Sequence, residues 1–116
     1  MDMRVFKTWE VVKVPFPYTD RPVQQRRPAL VVGTGSIQDR HGLIWVMMIT
    51  SSKNQAWPED VSVSDLGKAG LPISSVVRTA KIATIEASTA EALGTLCIAD
   101  REAVRKQISR ILENIL

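Results

Sequence analysis

The 116-residue sequence predicts a mainly β fold: a small, strongly bent antiparallel sheet or barrel followed by one C-terminal α-helix. Short apolar or alternating segments follow one another with turn residues between them, a pattern typical of antiparallel strands. After Ala99 the apolar residues change to helical spacing. No repeat or linker interrupts the chain, so we expect a single domain over residues 1–116.

The first half of the chain predicts three strands. "WEVVKVPF" alternates and is rich in valine, which indicates a strand over about residues 9–15. "PALVVGTGSI" is an apolar strand that ends at Gly33 and Gly35, and "GLIWVMMITS" is another that follows the turn-like "DRHG". Continuous apolar runs favour strands that are buried on both faces or curled into a small barrel.

The second half predicts several shorter strands. "EDVSVSDLG" alternates at Val61 and Val63, and "LGTLCI" indicates a last short strand or turn. Between them, "SSVVRTA" and "KIATIE" indicate two strands that are joined or bent near Ala80 and Lys81.

The C-terminal segment predicts a helix docked by one face on the sheet. Asp100 is the expected N-cap, and Glu102 is expected in the first turn, where the helix dipole favours an acid. The charged residues off the apolar stripe are expected on a solvated face. The stripe consists of Val104, Ile108, Ile111, Leu112 and Ile115.

Composition excludes several classes. The net charge of +3 permits an anionic partner without requiring one. No apolar run approaches the length of about 18 residues that a membrane span needs, and the N-terminus does not read as a signal peptide. Cys97 is the only cysteine, so it is expected to be a small buried hydrophobe in a protein of the reducing cytoplasm. One histidine and one cysteine far apart predict no metal site, and we expect no cofactor.

The connection over residues 16–27 is the strongest candidate for a functional segment, because long loops in small domains are often functional. It combines an aromatic ring with arginines and amides, which can stack on bases, grip phosphates and contact base edges. An ordinary polar loop is the alternative reading. Its polar and aromatic residues are Tyr18, Thr19, Asp20, Arg21, Gln24, Gln25, Arg26 and Arg27.

Polar residues in two apolar strands are further candidates. Thr50, Ser51 and Ser52 end a strand, where hydroxyls either cap a turn or face a phosphate. Arg78 interrupts an apolar segment, so it needs a carboxylate or a phosphate as its partner, or must extend its charged end to solvent. His41, the only histidine, is expected to be exposed in a turn rather than to act as a general base.

The blocks "WEVVKVPFPYTD", "RRPALVV", "MMITSS", "VVRTAKIATIE" and "LGTL", with the terminal helix, resemble the MazF/PemK toxins of bacterial type II toxin–antitoxin modules. The resemblance runs from about residue 9 to the end. It implies a small SH3-like barrel of the CcdB/MazF type that works as a homodimer. It also implies a metal-independent endoribonuclease that cuts single-stranded RNA, often messenger RNA, at a short sequence and is inhibited by an acidic antitoxin.

The resemblance implies roles for particular residues. Arg27 and Thr50 match catalytic positions, and Arg78 matches a further arginine that some members use. The reaction would be attack of the 2′-OH on the adjacent phosphate, which leaves a 2′,3′-cyclic phosphate and a 5′-OH. The arginines would offset phosphoryl charge, and Thr50 would donate its hydroxyl to a phosphate oxygen. The residues expected to bind RNA are Tyr18, Arg21, Gln24, Gln25, Arg26, Ser51 and Ser52.

Three departures from the family pattern leave the proton-transfer partner open. Ala80 stands where members that use the second arginine commonly carry an Asp, and Glu86 replaces the Asp of a "TID" block. Trp9-Glu10 replaces the usual Gly-Asp before the first strand. Participation of His41 or Glu86 stays open. Two alternatives also stay open: a gyrase poison like the related CcdB proteins, and an inactive module of the same fold that binds RNA or antitoxin.

Overall fold

The computed structural model describes residues 5–17 and 25–116. These residues form six strands, three helices and a 3-10 turn over Ala87–Thr89. The strands are β1 (Glu10–Phe16), β2 (Gln25–Gly33), β3 (Leu43–Ser51), β4 (Asp60–Ser62), β5 (Ser75–Glu86) and β6 (Glu91–Thr95). The helices are α1 (Ser36–His41), α2 (Leu66–Ala69) and α3 (Ile98–Ile115).

The described strands form one antiparallel sheet in the order β4-β5-β3-β2-β1-β6. The predicted mainly β fold with a C-terminal helix is confirmed. The sheet is not closed into a barrel, because β4 and β6 are its two edges. Helix α3 packs on β4 and β5, and α2 packs on β6, so a helix contacts each of the two edge strands.

The bend predicted near Ala80 and Lys81 is present, within one strand rather than between two. Met47 of β3 is opposite Ile82, yet its neighbour Met48 is opposite Arg78. The three residues 79–81 of β5 are therefore unmatched on β3, which is the geometry of an extended bulge. Bulges bend a strand sharply, so β5 bends at residues 79–81.

Both faces of the central strands are buried, as the continuous apolar runs predicted. One core cluster gathers Phe6, Val12, Val14, Ala29 and Val46, and residues next to them in sequence point into the other. That second cluster contains Val11, Leu30, Met47, Ile49, Val77, Leu96 and Val104. Val104 anchors α3 on the sheet, whereas Leu112 and Ile115 further along the predicted stripe are exposed.

Two short helices stand where the sequence analysis predicted turns or strand. The first three residues of "DRHG" end α1, and Gly42 caps this helix in the left-handed conformation (φ 66°). Asp65 is the N-cap of α2, and its side chain accepts a hydrogen bond from the Lys68 backbone N–H. Both are too short for a periodic apolar pattern to be visible in the sequence. No helix in the described ranges is long and apolar enough to cross a membrane.

The predicted N-cap of α3 is wrong. The cap residue is Cys97, which is partly exposed, and Asp100 lies inside the first turn, so Glu102 falls beyond it. The Asp100 carboxylate instead accepts hydrogen bonds from the backbone N–H (2.7 Å) and the hydroxyl (2.6 Å) of Ser64. Burial alone would raise the pKa of Asp100, but the bonds from Ser64 and one from Cys97 outweigh burial and lower it.

We predict that Asp100→Asn lowers the free energy of unfolding by about 2 kcal/mol at neutral pH, because a buried charged acceptor is lost. The lowered pKa means that this stabilisation is complete above about pH 5 and is lost as the pH falls below the ordinary value of 3.8. Urea unfolding from pH 3 to pH 7 should therefore show a difference from the wild type that shrinks below about pH 4. Glu102→Gln, on the exposed side of the same helix, is the matched control.

We predict that Gly94→Ala destabilises the contact between α2 and β6. A methyl group on Gly94 would overlap the backbone of Lys68 and Ala69, so the two elements would have to separate. The expected loss is about 2 kcal/mol or more in the free energy of unfolding. Gly67→Ala is the control, since its nearest atom, Asp65 Oδ1, would be 3.7 Å away. An equal effect of both substitutions on urea unfolding would contradict this assignment.

Candidate functional site

A groove made of two adjoining hollows crosses the N-terminal end of β2. The smaller, which we call the Thr50 pocket, has a volume of about 300 Å³, and the larger, the Lys13 pocket, about 640 Å³. The two share Arg27, Pro28, Leu71 and Pro72. The Thr50 pocket adds Ile49, Thr50, Ser51, Asn54, Ile73 and Ser75. The Lys13 pocket adds Lys13, Arg26, Leu66, Gly67, Gly70 and Leu93.

Strand pairing brings two of the predicted catalytic residues together. In the β2–β3 ladder Ala29 is opposite Met48, and continuing that register by two residues places Arg27 opposite Thr50. Both residues line the Thr50 pocket. Residues 27 and 50 are distant in sequence, but the antiparallel register makes them neighbours.

Arg27 carries an unusual polar atom. Its Nε is buried, and no hydrogen-bond partner for it exists among the described residues. A buried donor without a partner costs about 1–3 kcal/mol, so such groups are rare in folded proteins unless water or a ligand satisfies them. A guanidinium is permanently charged and offers a fork of donors, which suits a phosphate or carboxylate. The arrangement favours an anion in this groove.

The hydroxyl groups after β3 have different surroundings. Thr50 is 3% exposed, and its Oγ1 accepts a hydrogen bond of 2.7 Å from Nδ2 of Asn54. Ser51 also lines the Thr50 pocket, and its Oγ accepts a bond from the Lys53 backbone N–H. Ser52 instead donates to Ser74 and is not among the pocket residues. Thr50 and Ser51 therefore line the groove, whereas the Ser52 hydroxyl is bonded to Ser74.

The predicted loop ends earlier than expected. Strand β2 begins at Gln25, with Gln25 opposite Phe16 and Arg26 opposite Pro15, so the prediction of loop up to Arg27 is wrong. The pairing of β2 with β1 continues from Pro28 back to Gln25, because β1 extends to Phe16 and supplies a partner for each of these residues. Gln25 is exposed at the strand's start.

Arg26 is held by its own neighbours. Its guanidinium donates to the backbone oxygens of Thr89 (3.2 Å) and Lys13 (3.1 Å) and lies 3.8 Å from the Glu91 carboxylate. Arg26 borders the Lys13 pocket, but much of its hydrogen-bonding capacity is already used. Two adjacent arginines thus differ sharply: within the described part of the chain, Arg27 has an unsatisfied buried donor and Arg26 does not.

Arg78 lies outside both pockets. Its Nε and Nη2 bond to the Asp60 carboxylate at 3.2 and 3.1 Å, and Nη2 also donates to the Gln55 backbone oxygen at 2.7 Å. The guanidinium is 4.3 Å from the centre of the Trp57 ring. Of the two partners that the sequence allowed for Arg78, the carboxylate is the one the structure provides.

The other candidates lie elsewhere. His41 precedes β3 and Glu86 is opposite Leu43, so both are at the end of β3 remote from Thr50. Thr50 is seven positions after Leu43 along β3, a distance of about 23 Å at roughly 3.3 Å per residue. Tyr18, Arg21 and Gln24 lie outside the described residues.

Two groove residues were missed by the sequence analysis. Lys13 sits at an outward position of the alternating β1 and borders the larger pocket. Asn54 lies in the turn after β3, and asparagine is a common turn residue, so its type gave no functional signal. Its distance of four residues from Thr50, within one tight turn, was the available clue.

The fold has known counterparts. The chain is similar to "MazF (Form-I)" of Deinococcus radiodurans, with a TM-score of 0.76 and 24% identity over 95% of this chain and 98% of that one. A chain of "MazE-MazF (Form-II)" from the same organism gives 0.71 and 24%, over 94% and 96%. A mycobacterial "endoribonuclease in complex with its cognate antitoxin" gives 0.70 and 16%, over 91% and 93%. At these identities the likeness shows a shared fold.

Sequence comparison identifies the family. No curated protein sequence gives a significant match. A family model described as "PemK-like, MazF-like toxin of type II toxin-antitoxin system" matches residues 7–112, which is most of the chain. The chain therefore belongs to the PemK-like, MazF-like toxins of type II toxin–antitoxin systems.

Proposed function

We propose that this toxin is a metal-independent endoribonuclease that cleaves single-stranded RNA, including messenger RNA, at a short sequence. The single observation that carries the proposal is the buried, unsatisfied Nε of Arg27 in the same pocket as the Thr50 hydroxyl. A permanent cation and a hydroxyl donor in one partly desolvated hollow suit a phosphodiester whose charge grows during reaction.

The proposed reaction uses a nucleophile that the RNA itself supplies. The 2′-oxygen forms a bond to the adjacent phosphorus and loses its proton, while the bond from phosphorus to the 5′-oxygen breaks. The products are a 2′,3′-cyclic phosphate and a 5′-OH, whose oxygen takes up a proton. Among the described residues that line the Thr50 pocket, Arg27 is the one ionisable side chain. We therefore assign Arg27 an electrostatic role, since a guanidinium donates hydrogen bonds and has no acceptor for a proton.

The groove offers RNA more than the reacting phosphate needs. The Lys13 pocket continues from Arg27 over an apolar floor that includes Pro28, Leu71 and Leu93. Cations beside an apolar surface suit the flanking nucleotides of a single strand, with phosphates near Lys13 and base or sugar faces on the floor. Ser51, Arg26 and Gln25 would extend these contacts, together with Tyr18, Arg21, Gln24 and Ser52.

We also propose that an acidic antitoxin in the bacterial cytoplasm inhibits this chain by covering the same groove. Support comes from the net charge of +3 and from the relatives solved as "MazE-MazF" and with a "cognate antitoxin". An acidic segment would pair with Arg27 and Lys13 and exclude RNA from both pockets.

We predict that Arg27→Ala lowers the rate of RNA cleavage by about 100-fold or more, because a preorganised charged donor at the phosphate is lost. Arg27→Lys should not restore activity, since a lysine lacks the guanidinium fork. The measurement is cleavage of a long RNA in EDTA with mapping of 5′-OH ends. Arg26→Ala is the adjacent control, and we expect an effect within about tenfold because its ion pair is exposed.

Other outcomes of this assay would count against the proposal. No cleavage by the wild type, or equal cleavage by Arg27→Ala, would overturn it. Salt-dependent binding of intact RNA without cleavage would identify a non-catalytic binding module instead. Inhibition of DNA supercoiling by the purified chain would point to a gyrase poison.

We propose, finally, that the toxin works as a homodimer. Light scattering of the purified chain should give about twice its 12.9 kDa mass. The exposed Ile98, Leu112 and Ile115 of α3 are apolar side chains that an assembly could cover. A mass of one chain at micromolar concentration would contradict this.

A further inference from the structure

The hydrogen bond between Asn54 and Thr50 determines where the Thr50 hydrogen can point. A hydroxyl has one hydrogen to donate and lone pairs that accept, whereas an amide nitrogen only donates. Because Nδ2 of Asn54 donates to Oγ1 of Thr50 at 2.7 Å, the Thr50 hydrogen is directed elsewhere. No other described residue forms a hydrogen bond with this hydroxyl, and Thr50 borders the pocket that contains Arg27.

We propose that Asn54 is a positioning residue that holds the Thr50 hydroxyl with its hydrogen towards the Thr50 pocket, ready to donate to a phosphoryl oxygen. The inference rests on the proposed ribonuclease function and assigns a role to a residue that neither the sequence nor the family match singled out. Asn54 acts through Thr50 and need not touch the RNA.

The turn that carries Asn54 is itself fixed at several points. The backbone N–H of Asn54 donates to the Ser51 oxygen at 3.1 Å. The next residue, Gln55, gives its backbone oxygen to Arg78, whose guanidinium is paired with Asp60 and stacked on Trp57. The buried Arg78–Asp60 pair therefore holds the segment after β3 in the position that Asn54 needs. Arg78 contributes to the site through this segment rather than through a phosphate.

Two substitutions separate a donating amide from an accepting one. Asn54→Asp keeps the shape but offers only acceptors, so the carboxylate would take the Thr50 hydrogen away from the pocket. Asn54→Ala removes the constraint and leaves the hydroxyl free to rotate. If the Asn54 amide accepted a hydrogen bond from Thr50, Asn54→Asp should retain more activity than Asn54→Ala. If the amide donates, Asn54→Ala should retain more.

The experiment measures single-turnover cleavage of RNA in EDTA with enzyme in excess. We expect the rate to fall about tenfold in Asn54→Ala and about 100-fold or more in Asn54→Asp. Gln55→Glu adds the same negative charge at the neighbouring exposed residue, and we expect its rate to stay within about threefold of the wild type. Binding of a 2′-deoxy-substituted RNA should change little in Asn54→Ala, because positioning of Thr50 affects the reaction more than binding.

Repeating the comparison in a Thr50→Val background isolates the hydroxyl. The Thr50→Val protein has no hydroxyl to reorient, so Asn54→Asp should lower its residual rate no more than Gln55→Glu does. The difference between the effects of Asn54→Asp in the two backgrounds is the coupling that a double-mutant cycle reports. A rate for Asn54→Asp equal to or above that of Asn54→Ala would overturn the inference, as would an undiminished Asp effect in the Val background. Both results leave the proposed function standing, whereas a wild type that does not cleave RNA overturns the function and this inference together.

Discussion

The pairing of β2 with β3 is the constraint on which the rest of the site depends. It places Arg27 across from Thr50 and, through alternation along the strand, sends the adjacent Arg26 to the backbone oxygens of Lys13 and Thr89. A slip of one residue would exchange the two arginines between faces. Such a slip is opposed because Ala29 and Val31 pack in one core cluster and Leu30 in the other, so the slip would exchange side chains of different size between two packed clusters. The core thus fixes the position of the charge.

Two arginines with buried nitrogen atoms, Arg27 and Arg78, have opposite surroundings. Arg78 is satisfied by a carboxylate, a backbone oxygen and an aromatic ring, whereas the buried Nε of Arg27 has no partner among residues 5–17 and 25–116. Breaking the first pair would leave a charge uncompensated in the interior, which makes Arg78 part of the framework. The unsatisfied donor of Arg27 is instead a cost borne in the free protein that an anionic ligand can relieve.

Much of this arrangement could be predicted from the sequence, where patterns are long or residues unusual. The strands, the bend at Ala80 and the terminal helix follow from apolar periodicity. Thr50 was singled out as a hydroxyl at a strand end, and Arg27 as the last residue of the loop before the next strand. The start of β2 and the cap of α3 could not be predicted, because tertiary partners decide them: β1 extends the ladder to Gln25, and Ser64 draws Asp100 into the first turn. Asparagine is common in turns, so the residue type of Asn54 did not indicate its hydrogen bond to Thr50.

Two departures from the family pattern that the resemblance implies, at Trp9 and Ala80, have local structural counterparts. Trp9, one of these departures, adopts φ 80°, a conformation unusual for a bulky residue. Its backbone bonds to Val31 and Leu96, and its ring contacts Arg105, hold it there. Ala80 likewise gives Arg78 no acid of its own; Asp60 of β4 supplies the carboxylate, but as a buried ion-pair partner outside both pockets. Because Arg78 is held in that pair, Arg27 and Thr50 are the members of the predicted catalytic set that the Thr50 pocket brings together.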